Sequence, residues 1–382
     1  VNDYDIVVVG AGPSGCAAAI SAARAGARVG VLDRARFPRP KTCGDAVSNR
    51  AAAVIDDLGG GYDLLRTIPH AVVRGASAIL PDGTRIDRDF GEDPGYIVPR
   101  LHLDALLRRQ LEPAGVEVHE GVRVRQLLVE DDRVVGAQAD EGTWRARTVI
   151  AADGPGSVGW AALGAPYKRG VHLGVAVTAY YEGIDFGAAD GITEHYFEHG
   201  LRCGYGWVFP PVEGLANVGI YQRQDRYGAS EATLVGALED FVQRHPERFE
   251  GARPRGRTRS WALPLASQMR PPGGPGVLLV GDAAYSIDPL SGEGIWQALF
   301  TGCEAGTIAA DSLARGGVDR RAVRRYQLRW ARELGVTSLT RLAVQEGMTA
   351  LVETGAYRWS FIQRALARGY RSERLEVSKR LH

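Results

Sequence analysis

The 382-residue sequence predicts an α/β fold with an inserted β-rich domain and a helical C-terminal region. Three observations predict it. The apolar run Ile6–Val9 is followed at once by Gly10, Gly12 and Gly15, then by an alanine-rich stretch and a second apolar run ending in Asp33. Two further apolar runs, 148–152 and 276–280, also end in glycine-bearing turns, Asp153-Gly154 and Gly281-Asp282. Between those runs, residues 171–264 read as long strands.

The opening stretch organises the chain. A continuous apolar run is the pattern of a strand buried on both faces. In the Gly-x-Gly-x-x-Gly turn, Gly10 permits the tight bend, Gly12 lets a pyrophosphate approach the backbone, and Gly15 lets the following helix lie close to the strand. Pro13 suits a first helical turn, where its missing N–H costs nothing. Ala17, Ala18, Ala19, Ala22 and Ala23 make a slim helix. Asp33 ends the second strand, where a carboxylate accepts hydrogen bonds from a ribose. Strand, turn, helix, strand and acid in this order point to dinucleotide binding rather than to a plain glycine turn.

Residues 34–45, with Pro38, Pro40 and Gly44, read as a loop. A short helix is expected over 46–58, then a strand pair over 72–79 and 84–90 joined by Pro81-Asp82-Gly83. Residues 99–111 form an amphipathic helix with Arg100 in its first turn. Short strands over 116–118, 122–129, 134–139 and 148–152 complete the first sheet. Strands over 173–181, 193–197, 205–209, 216–221 and 257–265, with a helix over 230–244, make the β-rich domain. The chain then returns to the first sheet at 276–280, enters a helix at Ile295 that runs to about 313, and stays helical over 319–371.

Composition sets limits. A hydrophobic content of 45% with 24% charged residues describes a soluble globular protein. No run of 18 apolar residues is present, so no membrane-spanning helix is expected. The chain enters its first strand too early for a signal peptide, and Cys16, Cys43, Cys203 and Cys303 are scattered without metal-site spacing; a cytoplasmic protein is expected. The net charge of +1 conceals an asymmetry: residues 316–382 carry an excess of eight positive charges and the remainder an excess of seven negative ones. The basic region suits solvated helix faces, or contact with an anionic membrane surface or an acidic carrier protein. No nucleic-acid partner and no metal site are expected.

Glycine turns after strands near 10, 153 and 281 resemble the flavoprotein monooxygenase superfamily, in which one domain wraps a whole FAD. The resemblance implies a Rossmann-like FAD-binding domain in three parts (1–70, 99–165 and 271–318), an inserted mixed or antiparallel β-sheet substrate domain (166–270) extended by a strand pair (71–98), and a C-terminal helical region (319–382). It implies that Gly10, Gly12 and Gly15 cradle the pyrophosphate, that Asp33 binds the adenosine ribose, that Arg100 neutralises phosphate, and that Pro13, Ser14, Arg34 and Lys41 also belong to the cofactor site. Asp153 matches the central Asp-Gly, and Gly281 and Asp282 the Gly-Asp that holds the ribityl chain.

Finer motifs resemble the geranylgeranyl reductase-like branch. Lys41-Thr42-Cys43-Gly44-Asp45 is similar to that branch's Cys-Gly loop beside the isoalloxazine. The segment 288–295, with Pro289, Gly292, Gly294 and Ile295, is similar to its flavin-proximal segment. Tyr205-Gly206-Trp207-Val208-Phe209-Pro210 matches its Tyr-x-Trp-x-Phe-Pro signature. Tyr205, Trp207 and Phe209 share one face of a strand and are expected to wall an apolar substrate. Arg202 stands where the branch usually has proline; its guanidinium is expected either to pair with a carboxylate or phosphate at the pocket rim or to face water. Two reactions fit such a cofactor: hydride transfer from reduced flavin to a C=C bond, with Cys43 and Tyr205 as candidate proton donors, or oxygen-dependent hydroxylation of an aromatic or specialised metabolite. No second nucleotide turn is present, so NAD(P)H or another electron donor would visit transiently. A flavin-bearing binding module is the non-enzymatic alternative.

Overall fold

A computed structural model describes residues 2–61, 63–227, 233–269 and 271–372. Its first sheet has a parallel centre in the order Val277–Leu279, Gly142–Ala151, Asn2–Val9, Val29–Asp33 and Glu117–Glu120. An antiparallel meander, Val124–Glu130 and Arg133–Ala139, is attached to the 142–151 strand. Ile6, Val7 and Val8 are fully buried because helices cover one face of the sheet and the meander side covers the other. The helix Pro13–Arg24 packs against the helix Ile295–Asp311 with almost no side chain between them. A Cβ on Gly302 would lie 2.2 Å from the Ser14 carbonyl oxygen, and one on Gly306 would lie 2.2 Å from that of Ala18. The small residues of both helices therefore set the spacing and bring the start of the second helix beside the N-terminal glycine turn.

The second sheet runs in the order Arg253–Pro264, Leu173–Glu182, Leu215–Arg223, Gly204–Val212, Ile192–Tyr196, Gly75–Ile79 and Arg85–Asp89. It is mixed, since 192–196 pairs in parallel with 75–79. One face carries Val208 and Ile220 against the helix Leu234–Arg244, where Phe241 fills the space a side chain at Gly206 would need. The opposite face carries Tyr205, Trp207, Phe209 and Tyr221 toward the first sheet. A small sheet of Ala46–Val47, Gly95–Ile97 and Ala71–Val73 stands at the junction.

One element differs from expectation. Residues 46–58 do not form one helix. Ala46 and Val47 pair with Ile97 and Tyr96, and Ser48 then caps the helix Asn49–Leu58 by accepting from Ala51 N. The helical region expected over 319–371 consists of Arg320–Trp330, a π-turn over 331–335, Val336–Thr354 and Ser360–Ser372. Gly355, in the left-handed conformation at φ 73°, ends the third piece. The helix expected from 230 begins at Leu234, capped by Thr233; residues 228–232 lie outside the described residues. Among the described residues no helix is long and apolar enough to cross a membrane, and no cluster of side chains suits a metal ion.

Candidate cofactor and active site

A cavity of about 1180 Å³ runs from the N-terminal glycine turn to the aromatic face of the second sheet. Its first end is made of backbone. A Cβ on Gly15 would lie 1.8 Å from the Gly10 carbonyl oxygen, and one on Gly10 would lie 2.5 Å from that of Ala152. Gly12 has open space instead and lines the cavity with Pro13 and Ser14. The helix Pro13–Arg24 starts there without a side-chain cap, leaving its first N–H groups for an anion. Asp33 is oriented by Ala11 N on Oδ2 at 2.7 Å and Ala35 N on Oδ1 at 2.8 Å. Each carboxylate oxygen keeps a further lone pair for a ligand. Asp153 uses Oδ2 to accept from Val158 N at 2.8 Å, while its buried Oδ1 finds no partner among the described residues. A cradle closed to side chains, an oriented carboxylate and an orphaned oxygen facing the same cavity fit a dinucleotide.

Asp282 lies farther along, part-buried on the cavity wall. Burial pushes its carboxyl above the ordinary range, against the pull of Lys41 and Arg100. Lys41 stands 3.6 Å from the centroid of the Trp261 ring. Burial, then the charge of Arg100, brings its ammonium down to about 8. Arg100 is tied to buried Asp104 through Nε at 2.6 Å and Nη2 at 2.9 Å, with Arg39 on the same carboxylate at 3.1 Å. Burial opposes the Arg100 charge, but Asp104 and Cys43 offset it and hold the guanidinium protonated. Arg100, expected to neutralise phosphate, lines the cavity as part of a buried ion pair.

At the far end Cys43 and Gly44 meet the aromatic wall. A Cβ on Gly44 would lie 3.3 Å from the Phe209 ring and 3.6 Å from Trp207 Nε1. The segment 288–294 closes the other side. Asp288 Oδ1 accepts from Leu290 N, Ser291 N and Ser291 Oγ at 2.9 to 3.1 Å, and its other oxygen pairs with Arg341. Ser48 Oγ donates to Glu293 at 2.5 Å. Gly292, Gly294 and Ile295 line the cavity at the start of the helix Ile295–Asp311.

The structure brings together Gly10, Gly12, Pro13, Ser14, Asp33, Arg34, Lys41, Cys43, Gly44, Arg100, Asp153, Asp282, Gly292, Gly294, Ile295, Tyr205, Trp207 and Phe209 around this one cavity. Gly15 and Gly281 stand directly behind its wall, packed on Gly10 and Ser14. Arg202 is not at the rim. Its exposed side chain pairs with Glu353 at 3.6 Å on the far side of the strand, because residues 200–203 turn toward the C-terminal helix Val336–Thr354. Pro289 presents its carbonyl oxygen to Tyr221 O–H at 2.8 Å and Gln345 Nε2 at 2.7 Å rather than its ring to the cavity. Tyr205 lines the cavity but donates its hydroxyl hydrogen to the Ser291 carbonyl oxygen, so it anchors the 288–294 segment; burial pushes the phenol above its ordinary range. As a proton donor it is engaged elsewhere.

Sequence reasoning missed several cavity residues. His195 stands between Tyr205 and Phe209, ring centroids 5.4 Å from each, and burial brings it down to about 4, so the ring is neutral. Its strand, Ile192–Tyr196, also carries Thr193 and Glu194, so nothing in the sequence singled His195 out. Asp45, next to Cys43, is fully buried. Asn217 joins the two, donating from Nδ2 to Cys43 O and Asp45 Oδ2, both at 2.8 Å. No periodicity links residues 172 positions apart.

These features fit a dinucleotide-cofactor site with an adjoining apolar chamber, and comparison with known proteins narrows it. Residues 3–181 match the family described as FAD binding domain. A digeranylgeranylglycerophospholipid reductase of Methanococcoides burtonii is 31% identical over 369 residues, covering 92% of this chain and 85% of its own. A menaquinone reductase of Mycolicibacterium smegmatis is 33% identical, covering 82% and 77%. The crystal structure of a geranylgeranyl bacteriochlorophyll reductase-like protein from Thermoplasma acidophilum superposes with a TM-score of 0.83 at 25% identity, covering 93% of this chain and 89% of its own. The chain belongs to the geranylgeranyl reductase-like family of FAD-dependent oxidoreductases. It is an enzyme, and its cofactor is FAD.

Proposed function

We propose that this enzyme reduces a C=C bond of an apolar, prenyl-like substrate. The single observation that carries the reading is one continuous cavity with a nucleotide cradle at one end and an aromatic wall at the other. The relatives named for digeranylgeranylglycerophospholipid and menaquinone support it, since both names denote prenylated molecules.

FAD, when bound and reduced, supplies hydride. The chain supplies position and field. Gly10, Gly12, Pro13, Ser14 and Gly15 hold the pyrophosphate at a helix N-terminus. Asp33 and Arg34 hold the adenosine ribose, and Asp153, Gly281 and Asp282 the middle of the cofactor. Lys41 and Arg100 add positive charge. Pro289, Gly292, Gly294 and Ile295 form the loop and helix start beside the ring. Cys43 and Gly44 border it, and Cys43 positions the alkene. Tyr205, Trp207 and Phe209 exclude water and align an apolar chain. An isolated alkene is a poor electrophile, so alignment and a well-placed proton matter more than polarisation.

In this reading the FAD-binding parts are 1–70, 99–165 and 271–318, and the substrate parts are 71–98 and 166–270. The electron donor, NAD(P)H or a reducing partner, binds transiently. The basic 316–382 region touches an anionic membrane surface from which the substrate is drawn; its last ten residues lie outside the described ones.

The test is a mass spectrum of the product with and without oxygen. Prenyl reduction adds roughly two mass units and proceeds anaerobically with dithionite. Oxygen consumption matched to a gain of roughly sixteen units would replace this reading with oxygenation of an aromatic or specialised metabolite.

A further inference from the structure

The polar contacts beneath the aromatic wall converge on one buried carboxyl group. Asp45 lines the cavity where Cys43 and Gly44 meet Trp207 and Phe209. Tyr180 O–H and Asn217 Nδ2 both donate to Asp45 Oδ2, the latter at 2.8 Å, and Arg100 N donates to Oδ1 at 3.2 Å. The Asn217 amide is held in turn: Thr178 Oγ1 and Trp207 Nε1 donate to its Oδ1 at 2.8 and 3.0 Å. Asp45 sits at φ 64°, a left-handed conformation that is unfavourable for a non-glycine residue. The bond from Val98 N to the Asp45 carbonyl oxygen, 2.8 Å, helps to hold it there.

Such a carboxyl could be structural filler. Two features argue otherwise. It lines the cavity beside the aromatic wall, and Tyr180, its hydroxyl partner, is only half-buried, so its ring links the buried carboxyl to the part-exposed edge of the strand. The charged and titratable groups around it are Arg100, Cys43 and Tyr180, with Lys41, Arg39 and Asp104 behind. Arg100, the cation in contact, is already paired with Asp104.

We propose that Asp45 donates the proton that completes alkene reduction and that Tyr180 passes it a replacement from solvent. This rests on the reading of the enzyme as a C=C reductase. The alkene loses its π bond and gains two C–H bonds. One carbon takes the hydride from reduced cofactor, which is thereby oxidised; its neighbour takes the proton released when the Asp45 O–H bond breaks. The carboxylate then takes the Tyr180 hydroxyl proton, and Tyr180 takes one from water. Burial pushes Asp45 up to about 6, within working range for an acid near neutral pH.

The experiment compares wild type, Asp45→Asn and Tyr180→Phe, each loaded with FAD. The protonated-carboxyl stretch, followed by infrared difference spectroscopy against pH, is expected to titrate near pH 6 in wild type and to be missing from Asp45→Asn. Anaerobic single turnover of dithionite-reduced enzyme with a prenyl substrate is expected to slow at least ~100-fold in Asp45→Asn and to lose its pH dependence. Tyr180→Phe keeps the acid but removes a bond that stabilises the carboxylate, so both midpoints move to higher pH, and repeated turnover slows more than the first. This variant carries the test should Asp45→Asn fail to fold. A wild-type rate and pH profile in Asp45→Asn, or unmoved midpoints in Tyr180→Phe, would overturn the Asp45 assignment alone. A wild-type enzyme that leaves the alkene intact would overturn the reductase reading as well.

Discussion

At the N-terminal turn, a Cβ on Gly15 would sit 1.8 Å from a backbone oxygen, and the site consists largely of bare peptide. At the other end of the same cavity, Asp45, Asn217, Tyr205, Tyr221 and Gln345 hold two loops through side-chain hydrogen bonds. In the proposed reading the first end takes a part that every FAD shares, so its geometry is local and intolerant. The second shapes a substrate chamber, so its parts are separate side chains that can be exchanged one at a time.

The largest expected effect comes from closing the backbone end. Gly15→Ala forces helix and strand apart and is expected to cost about 3 kcal/mol in urea unfolding and to yield colourless protein. Yellow protein with the wild-type midpoint would break this half of the comparison. Asp282→Ala removes a part-buried carboxylate without blocking space, so it is expected to fold and to purify largely without flavin; full occupancy by absorbance would count against the proposed ribityl role.

The side-chain end is tested by titration. Burial holds Asp45 at about 6 when folded, against 3.8 as the ordinary value. The folded chain therefore keeps this proton longer than the unfolded chain. The Asp45 contribution to stability is present below about pH 4 and is lost as pH rises to about 6, a loss of roughly 3 kcal/mol. Without FAD, Asp45→Asn is expected to remove that slope from the pH dependence of unfolding; parallel curves would contradict it. Cys43→Ala is expected to retain flavin and to lower kcat about tenfold through misplacement of the substrate, and an unchanged kcat would remove Cys43 from the mechanism. Tyr205→Phe gives the smallest effect. It forfeits one hydrogen bond to Ser291, about 1 kcal/mol, with kcat within a few-fold of wild type. A collapse of kcat would restore Tyr205 as the proton donor.

The nucleotide end was legible because its signals are contiguous. Glycine spacing, an apolar strand and a terminal acid act within one βαβ unit, where covalent neighbours are spatial neighbours. The face shared by Tyr205, Trp207 and Phe209 was legible for the same reason, since alternation along one strand fixes it. Arg202 was misjudged because its strand position alone does not say that the C-terminal helix supplies Glu353. The two-residue strand at 46–47 was read as helix because its partner lies some 50 residues on, at Tyr96 and Ile97.

The sequence by itself thus determined the α/β class, the FAD cradle and the aromatic wall, because each is written in residues a few positions apart and enforced by local sterics. Tertiary structure alone decided that Asp45 is buried against Tyr180 and Asn217, and that Tyr205 holds Ser291. Those pairings depend on how two sheets dock. Burial and hydrogen bonding across 86 to 172 residues set the state of each group, and no pattern along the chain carries that information.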